Sequence, residues 1–121
     1  MKKENRIKKN HEIASIVNKR KKVVNQNYIL YYQISEYDKL RVAISVSKKY
    51  GHAFERNKAK RIVRNIIRKY VHTMTNLDIV IVIKPQSKLQ SFEVLDHELN
   101  FLFRLILRKT QGGKSEILSG L

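Results

Sequence analysis

The chain has 121 residues, a length typical of one domain with a single core, and a formal net charge of +16 at pH 7. So large an excess of one sign repels itself in a compact fold and favours a polyanionic partner: nucleic acid first, with an anionic membrane surface as the alternative. The absence of cysteine excludes disulfides and thiolate metal sites. No apolar run approaches the roughly 20 residues that span a bilayer, and the basic start lacks the apolar segment of a secretory signal. We therefore expect a cytoplasmic protein without a membrane partner.

The N-terminal third predicts an arm, a helix and a strand. Residues 1–9 are basic and are expected to form a mobile arm. Residues 10–18, NHEIASIVN, space their apolar side chains as a helix does, with Asn10 as the N-cap. The next residues, KRKKVV, are expected to be a loop or a short edge strand, since lysine discourages edge-to-edge pairing. Aromatic and β-branched residues at 28–34, YILYYQI, favour a strand.

Four more elements are predicted in the rest of the chain, one of which, the helix at residues 54–71, is described separately below. The segment LRVAISVS alternates apolar residues with small or polar ones and predicts a second strand. Residues 78–84, DIVIVIK, are apolar almost throughout, as expected of a central strand. A long helix is predicted over residues 91–109, with Ser91 as its N-cap and two glycines shortly after its end.

With the helix at residues 54–71 included, the predicted order is α-β-β-α-β-α, with space for one short extra strand near Lys21. It indicates the α+β class, a two-layer sandwich of one sheet with helices packed on it. We expect one domain over residues 1–110 and a disordered tail over 111–121.

The helix in the middle of the chain, FERNKAKRIVRNIIRKYV at residues 54–71, has seven basic residues and a single acid. On a helical wheel its apolar residues form one stripe, and Asn57, Arg61, Arg64 and Arg68 form a line on the opposite side. A solvated face is the usual explanation of such a pattern. Solvated faces carry both signs, however, and the planar fork of arginine suits bidentate contacts with phosphate. We interpret the line as a phosphate-binding surface.

The residues just before this helix strengthen that interpretation. Lys48 and Lys49 lie where a strand leads into the helix, and Gly51 can adopt a positive φ that lets the backbone approach a ligand. Free backbone N–H groups at the start of the helix would favour an anion.

The segment SVSKKYGHAFERNKAKRIVRNIIR resembles the signature of the bacterial ribonuclease P protein subunit. That signature is an Arg-Asn pair, a Lys-Arg pair and a further Arg, here Arg56-Asn57, Lys60-Arg61 and Arg64. The likeness continues in family order through NRIKKNHEI, RVAISVSKK and DIVIVIKP. It covers roughly residues 5–108.

The resemblance implies a protein that assembles with a large catalytic RNA, which removes the 5′ leader of precursor tRNA with bound Mg²⁺. It implies the fold of the second domain of a small-subunit ribosomal protein, with a left-handed β-α-β crossover that the general right-handed rule would not predict. Contacts with the catalytic RNA are then expected from Lys48, Lys49, Arg56, Asn57, Lys60, Arg61, Arg64 and Arg68. A cleft for the single-stranded leader is expected from Arg6, Lys8, Lys9, Ile13, Val17, Ile29 and Tyr31.

The chain departs from the family pattern at two places. Ile13 and Val17 stand where the family often has aromatic residues, so stacking on leader bases should be weaker, with Tyr31 as the main stacking platform. Asn65 replaces an acid that commonly follows the last motif arginine, which makes the helix still more cationic.

Other kinds of site are poorly supported by the sequence. The four histidines show no paired ligand spacing: His11, His52, His72 and His97. Asn57 is equally well explained as a turn residue or as a ligand that holds Mg²⁺ through water beside RNA phosphates. No carboxylate pair, Ser-His-Asp order or phosphate-binding glycine loop is present, so we expect the chemistry to lie in the RNA. The alternatives are a general RNA-binding protein of ribosomal type and a protein that is itself a nuclease; no DNA partner is expected.

Overall fold

The computed structural model describes residues 2–110, which form three α-helices and four strands. Their bounds are α1 Asn10–Asn18, β1 Lys22–Val24, β2 Tyr28–Ile34, β3 Leu40–Val46, α2 Ala53–Val71, β4 Leu77–Ile83 and α3 Phe92–Thr110. Short 3-10 turns lie at Lys3–Asn5, Lys48–Tyr50 and Pro85–Leu89. The predicted α+β sandwich is confirmed, and the short extra strand is β1.

The four strands form one sheet in the order β1-β2-β4-β3. Strand β2 pairs antiparallel with both β1 and β4, whereas β3 and β4 are parallel and are joined by the α2 crossover. Strand β4 is buried on both faces along almost its whole length, which explains its nearly continuous apolar sequence. Strand β3 lies at the edge of the sheet next to the residues of the N-terminal segment.

The larger part of the core lies between the sheet and the two long helices. Leu30, Val42 and Ile81 point to this face of the sheet and pack with Ile67 of α2 and Leu99 of α3. All five are at most 2% exposed. Because side chains alternate between the faces of a strand, the intervening residues point to the opposite side.

The opposite face of the sheet carries the shorter helix α1. Its central residue Ile16 packs on Ala43 of β3 and Val80 of β4, and Ile7 of the N-terminal segment completes this second cluster. The cluster is small because α1 has only nine residues and covers only part of the sheet. The uncovered part is available for binding.

The N-terminal segment differs from the predicted mobile arm. The Asn5 amide donates a hydrogen bond to the Leu40 carbonyl at 2.8 Å, and the Ile7 N–H donates to the Val42 carbonyl at 3.0 Å. Both Asn5 and Ile7 are buried. The segment therefore lies along the edge of β3, with Asn5 and Ile7 directed inward and the side chains of Arg6 and Lys8 exposed.

Of the two N-cap residues predicted for the helices, Ser91 of α3 is confirmed and Asn10 of α1 is wrong. The Ser91 hydroxyl accepts a hydrogen bond from the Val94 N–H at 3.3 Å, as expected of the N-cap of α3. Helix α1 instead has Lys9 as its N-cap, without a side-chain cap, and Asn10 is its first helical residue. The predicted tail at 111–121 lies outside the described residues. Within residues 2–110, no helix has the length and apolarity needed to cross a membrane.

Candidate nucleic-acid interface

Helix α2 has the two faces that its sequence predicts. Ala59, Val63, Ile66 and Ile67 are buried against the sheet. The predicted cationic line, Asn57, Arg61, Arg64 and Arg68, lies on the other side, where all members except the half-buried Arg64 are exposed. We call these four residues the cationic line. Its side chains lie on the same side of α2 and can therefore contact a single polyanion.

A second row of basic residues lies beside the cationic line and shares Arg64 with it. Arg56, Lys60 and Arg64 follow one another at single-turn spacing, and all three are half-buried. The Nε atoms of Arg56 and Arg64 are buried and have no hydrogen-bond partner within the described part of the chain. Packing thus positions the stems of these arginines, while no carboxylate of the described residues lies within salt-bridge distance of their guanidinium groups.

The start of α2 is not the open anion site that the sequence suggests. The Glu55 carboxylate accepts a hydrogen bond from the His52 N–H at 3.0 Å and forms a salt bridge with Lys88 at 2.5 Å. The salt bridge, and then the His52 N–H, hold the pKa of the Glu55 carboxyl below its usual range, so Glu55 is ionised at neutral pH. The only acid of the helix therefore caps its first turn, away from the cationic line.

Gly51 makes this cap possible, since its φ of 153° is a conformation that L side chains rarely adopt. A Cβ at this position would lie 2.6 Å from Oε1 of Glu55. We expect Gly51→Ala to displace the carboxylate and to lower the free energy of unfolding by about 1 kcal/mol, as the loss of a cap does. Urea denaturation measures this change. The matched variant Ala53→Gly, also at the start of α2, leaves the carboxylate in place. If NMR titration shows the same change in the pKa of Glu55 in both variants, the role assigned to Gly51 is wrong.

The cleft predicted for the leader lies beside α1. The Arg41 guanidinium of β3 binds the Glu12 carboxylate at 3.0 Å, and Lys19 donates to the Gln33 side chain of β2 at 2.7 Å. Helix α1 therefore crosses the sheet from β3 toward β2. Ile13 and Val17 lie on the side of α1 away from these polar contacts and form a wall above the uncovered part of the sheet.

The floor of this cleft is a row of residues that crosses the sheet in register. Ser45, Val82, Ile29 and Val24 are successive cross-strand partners from β3 to β1. We call them the open row, because Ser45 and Val24 are exposed and the two central residues are half-buried. Tyr31 lies one step further along β2 and packs with the residues around Ile16. Its ring is half-buried and carries the Lys22 ammonium group 5.8 Å from its centroid.

Sequence reasoning missed three residues of the open row and Lys22. Ile29 alone was predicted, since the register of the strands and the position of β1 are set by pairings that the sequence does not display. One signal was present for Ser45: it is a polar residue in the strand LRVAISVS, and polar strand residues commonly face solvent.

The cationic line and the cleft meet at one edge of the molecule. A cavity of about 210 Å³ beside β3 is lined by Arg64 of α2, Arg6 and Lys8 of the N-terminal segment, and Ile13 of α1. Residues predicted for two different RNA contacts therefore line the same depression. Three other predicted basic residues do not line this cavity: Lys9 is exposed at the start of α1, and Lys48 and Lys49 are exposed in the turn after β3.

The described residues do not by themselves form a metal site. No group of three or more His, Cys, Asp or Glu side chains lies together among residues 2–110. Asn57 is exposed and offers a single amide oxygen, whereas Mg²⁺ requires six ligands that are mostly water, carboxylate or phosphate oxygens. A magnesium ion at Asn57 would depend on oxygens supplied by a bound RNA.

Comparison with known proteins agrees with these features. A sequence model of the family Ribonuclease P matches residues 1–107. The ribonuclease P protein component of Bacillus pumilus is 39% identical over 108 residues, covering 86% of this chain and 89% of that protein. The corresponding protein of an Exiguobacterium species is 34% identical, covering 93% of this chain and 99% of its own length.

Solved structures show the same similarity in three dimensions. A mutant of the Staphylococcus aureus RNase P protein with defective mRNA degradation activity superposes with a TM-score of 0.81 at 30% identity, over 86% of this chain and 89% of that one. The RNase P protein of Thermotoga maritima superposes with a TM-score of 0.72 at 27% identity, over 82% and 96%. Sequence motif, fold and basic surface thus lead to one assignment: the chain belongs to the ribonuclease P protein family.

Proposed function

We propose that this protein binds the catalytic RNA of ribonuclease P through α2 and holds the single-stranded 5′ leader of precursor tRNA in the cleft beside α1. The observation that carries the proposal is the position of Arg64, which belongs to the cationic line and also lines the cavity with Arg6, Lys8 and Ile13. One RNA on the line and another in the cleft would therefore lie side by side, with cations between their phosphates.

The division of roles follows from the chemistry of the two surfaces. The cationic line offers three guanidinium groups on one side of α2, which suits the phosphate backbone of a folded RNA. The cleft has apolar residues, one tyrosine ring and basic residues at its rim, which suits unpaired nucleotides. The open row extends over about four strands, or some 15 Å at the usual strand spacing, enough for two or three nucleotides.

The protein's contribution is electrostatic and positional. It brings two polyanions together against their mutual repulsion and presents the leader in an extended form. We place the cleavage chemistry in the RNA, with Mg²⁺ held by phosphate oxygens and Asn57 as at most one water-mediated contact. The positive surface lowers the concentration of Mg²⁺ needed to neutralise the assembled RNAs.

The test is processing of a precursor tRNA by the cognate catalytic RNA at low Mg²⁺, with and without the protein. We expect strong stimulation at low Mg²⁺ that declines as Mg²⁺ increases. A general RNA-binding protein would bind precursor and mature tRNA equally in the assembled complex, whereas leader recognition favours the precursor. Cleavage by the protein without RNA would instead assign the chemistry to the polypeptide.

Tyr31→Ala is expected to reduce the preference of the complex for a precursor over mature tRNA by about tenfold, because one base loses its stacking partner. Affinity for the catalytic RNA should not change, since Tyr31 lies on the opposite face of the sheet from the core of α2. Competition binding between the two tRNAs measures the preference. Tyr31→Phe keeps the ring and should behave as the unmodified protein. Loss of assembly with Tyr31→Ala would contradict the placement of the leader.

A further inference from the structure

A second groove lies on the other side of the cationic line, between the beginning of α2 and the beginning of α3. It has a volume of about 540 Å³, and its walls include Phe54, Lys58 and Ile62 from α2 and Phe92 from α3. We call it the α2–α3 groove. Its volume lies within the range of roughly 300–1,000 Å³ typical of small-molecule sites and is sufficient for a nucleotide.

Two phenylalanine rings are exposed at this groove although they have little part in the core. Phe54 is 71% exposed and Phe92 is 52% exposed. The Phe54 ring stacks with His52 at a centroid distance of 5.9 Å and an interplanar angle of 8°. Aromatic rings on such an otherwise basic surface are costly to leave in water, and their flat faces are the shape that an unpaired base recognises.

The charge around the rings selects an anionic occupant. Lys88 is neutralised by its salt bridge with Glu55, so Lys58 gives the groove a net positive charge. Glu55 is the only acidic residue that lines it. An anion with a planar apolar part fits both features, and a nucleotide is such a molecule.

The groove is continuous with the proposed RNA-binding surface. Phe54 and Arg61 are seven residues apart on α2, which places them two turns and about 10 Å from each other on nearly the same side of the helix. Both side chains are exposed. An RNA whose phosphates contact Arg61 therefore passes within one or two nucleotides of the Phe54 ring.

We propose that the α2–α3 groove captures an unpaired nucleobase of the RNA that docks on the cationic line, stacking it on Phe54 with Phe92 at its side and Lys58 near its phosphate. The inference rests on the proposed function and adds to it a contact that reads single-stranded structure in the catalytic RNA. Backbone contacts alone place the helix on any dense phosphate surface, whereas a captured base defines one register.

The test is binding of the cognate catalytic RNA by Phe54→Ala over a series of KCl concentrations. We expect about a tenfold loss of affinity at every salt concentration, with an unchanged salt slope, because a stacking contact is lost and no phosphate contact. Phe54→Tyr should retain the affinity and Phe54→Leu should not, since only the former keeps an aromatic face. Phe101→Ala is the matched control, as Phe101 is 45% exposed on α3 but does not line the groove.

Chemical probing of the bound RNA supplies an independent readout. One unpaired base should be protected by the unmodified protein and reactive again in the complex with Phe54→Ala. The inference is overturned if Phe54→Ala binds the catalytic RNA with unchanged affinity, or if Phe54→Leu binds it with full affinity. In that case, the proposed function still holds if Arg61→Ala lowers the affinity for the catalytic RNA as expected. If Arg61→Ala has no effect either, the RNA does not lie on the cationic line and both proposals are wrong.

Discussion

Replacing Arg61 and Arg64 together by alanine is expected to weaken binding of the catalytic RNA about a hundredfold at moderate salt. Each arginine contributes a hydrogen bond to a charged group, which is typically about 1.5–3 kcal/mol, and the lower end for two residues corresponds to a factor of roughly one hundred. The slope of log affinity against log salt concentration should fall by about two, one for each phosphate contact. Filter binding at several KCl concentrations measures both quantities.

Two further double variants separate a specific contact from general charge. Arg108→Ala with Lys109→Ala removes the same charge from the exposed last turn of α3, and we expect a much smaller loss of affinity. Arg61→Lys with Arg64→Lys keeps the charge but loses the planar fork, so the salt slope should persist while part of the affinity is lost. An equal loss from the α3 pair would show that net charge alone attracts the RNA.

Asp78→Ala is expected to lower the free energy of unfolding by about 3–5 kcal/mol, the cost of removing one partner from a buried ion pair. Asp78 is 1% exposed. Its two carboxylate oxygens accept hydrogen bonds from Nε and Nη2 of Arg41, each at 2.9 Å, and Oδ2 accepts another from the Gln33 amide at 2.9 Å. Without this carboxylate, Arg41 would be left largely buried with only Glu12 to balance its charge. Urea denaturation at neutral pH measures the loss.

The controls for this ion pair use its other members. Glu12→Gln removes only the more exposed partner of Arg41 and should cost less than about 1 kcal/mol. Asp78→Leu combined with Arg41→Met replaces both buried charges by apolar groups, and we expect it to be more stable than Asp78→Ala alone. A loss below 1 kcal/mol for Asp78→Ala would show that Arg41 remains well solvated in that variant.

This ion pair also matters for the cleft. Arg41, on the edge strand β3, joins Glu12 of α1 to Asp78 of the central strand β4. Since Ile13 is the next residue in α1, the wall of the cleft depends on this attachment. In Asp78→Ala, leader preference should decline together with stability, whereas Tyr31→Ala affects the leader alone.

The elements of the fold were largely predictable from local patterns. The strand at β4 followed from a continuous apolar run, and α2 from an apolar stripe with a 3.6-residue period, because burial on two faces or on one imposes these periods directly. The residues of the cationic line followed from the same wheel. The N-terminal segment was predicted wrongly, since hydrogen bonds from Asn5 and Ile7 to β3 leave no periodic trace in the sequence.

The candidate site was predictable only in part. The sequence by itself determined the excess of positive charge, the two faces of α2 and the family motif, because each depends on residue type and near-neighbour spacing. Only the tertiary structure decided that Arg64 lines a cavity with Arg6 and Lys8, and that Ser45, Val82, Ile29 and Val24 form one row. Those arrangements depend on strand order and register, which arise from contacts between residues far apart in the chain. A surface made by four strands and two helices exists only after these distant contacts have formed.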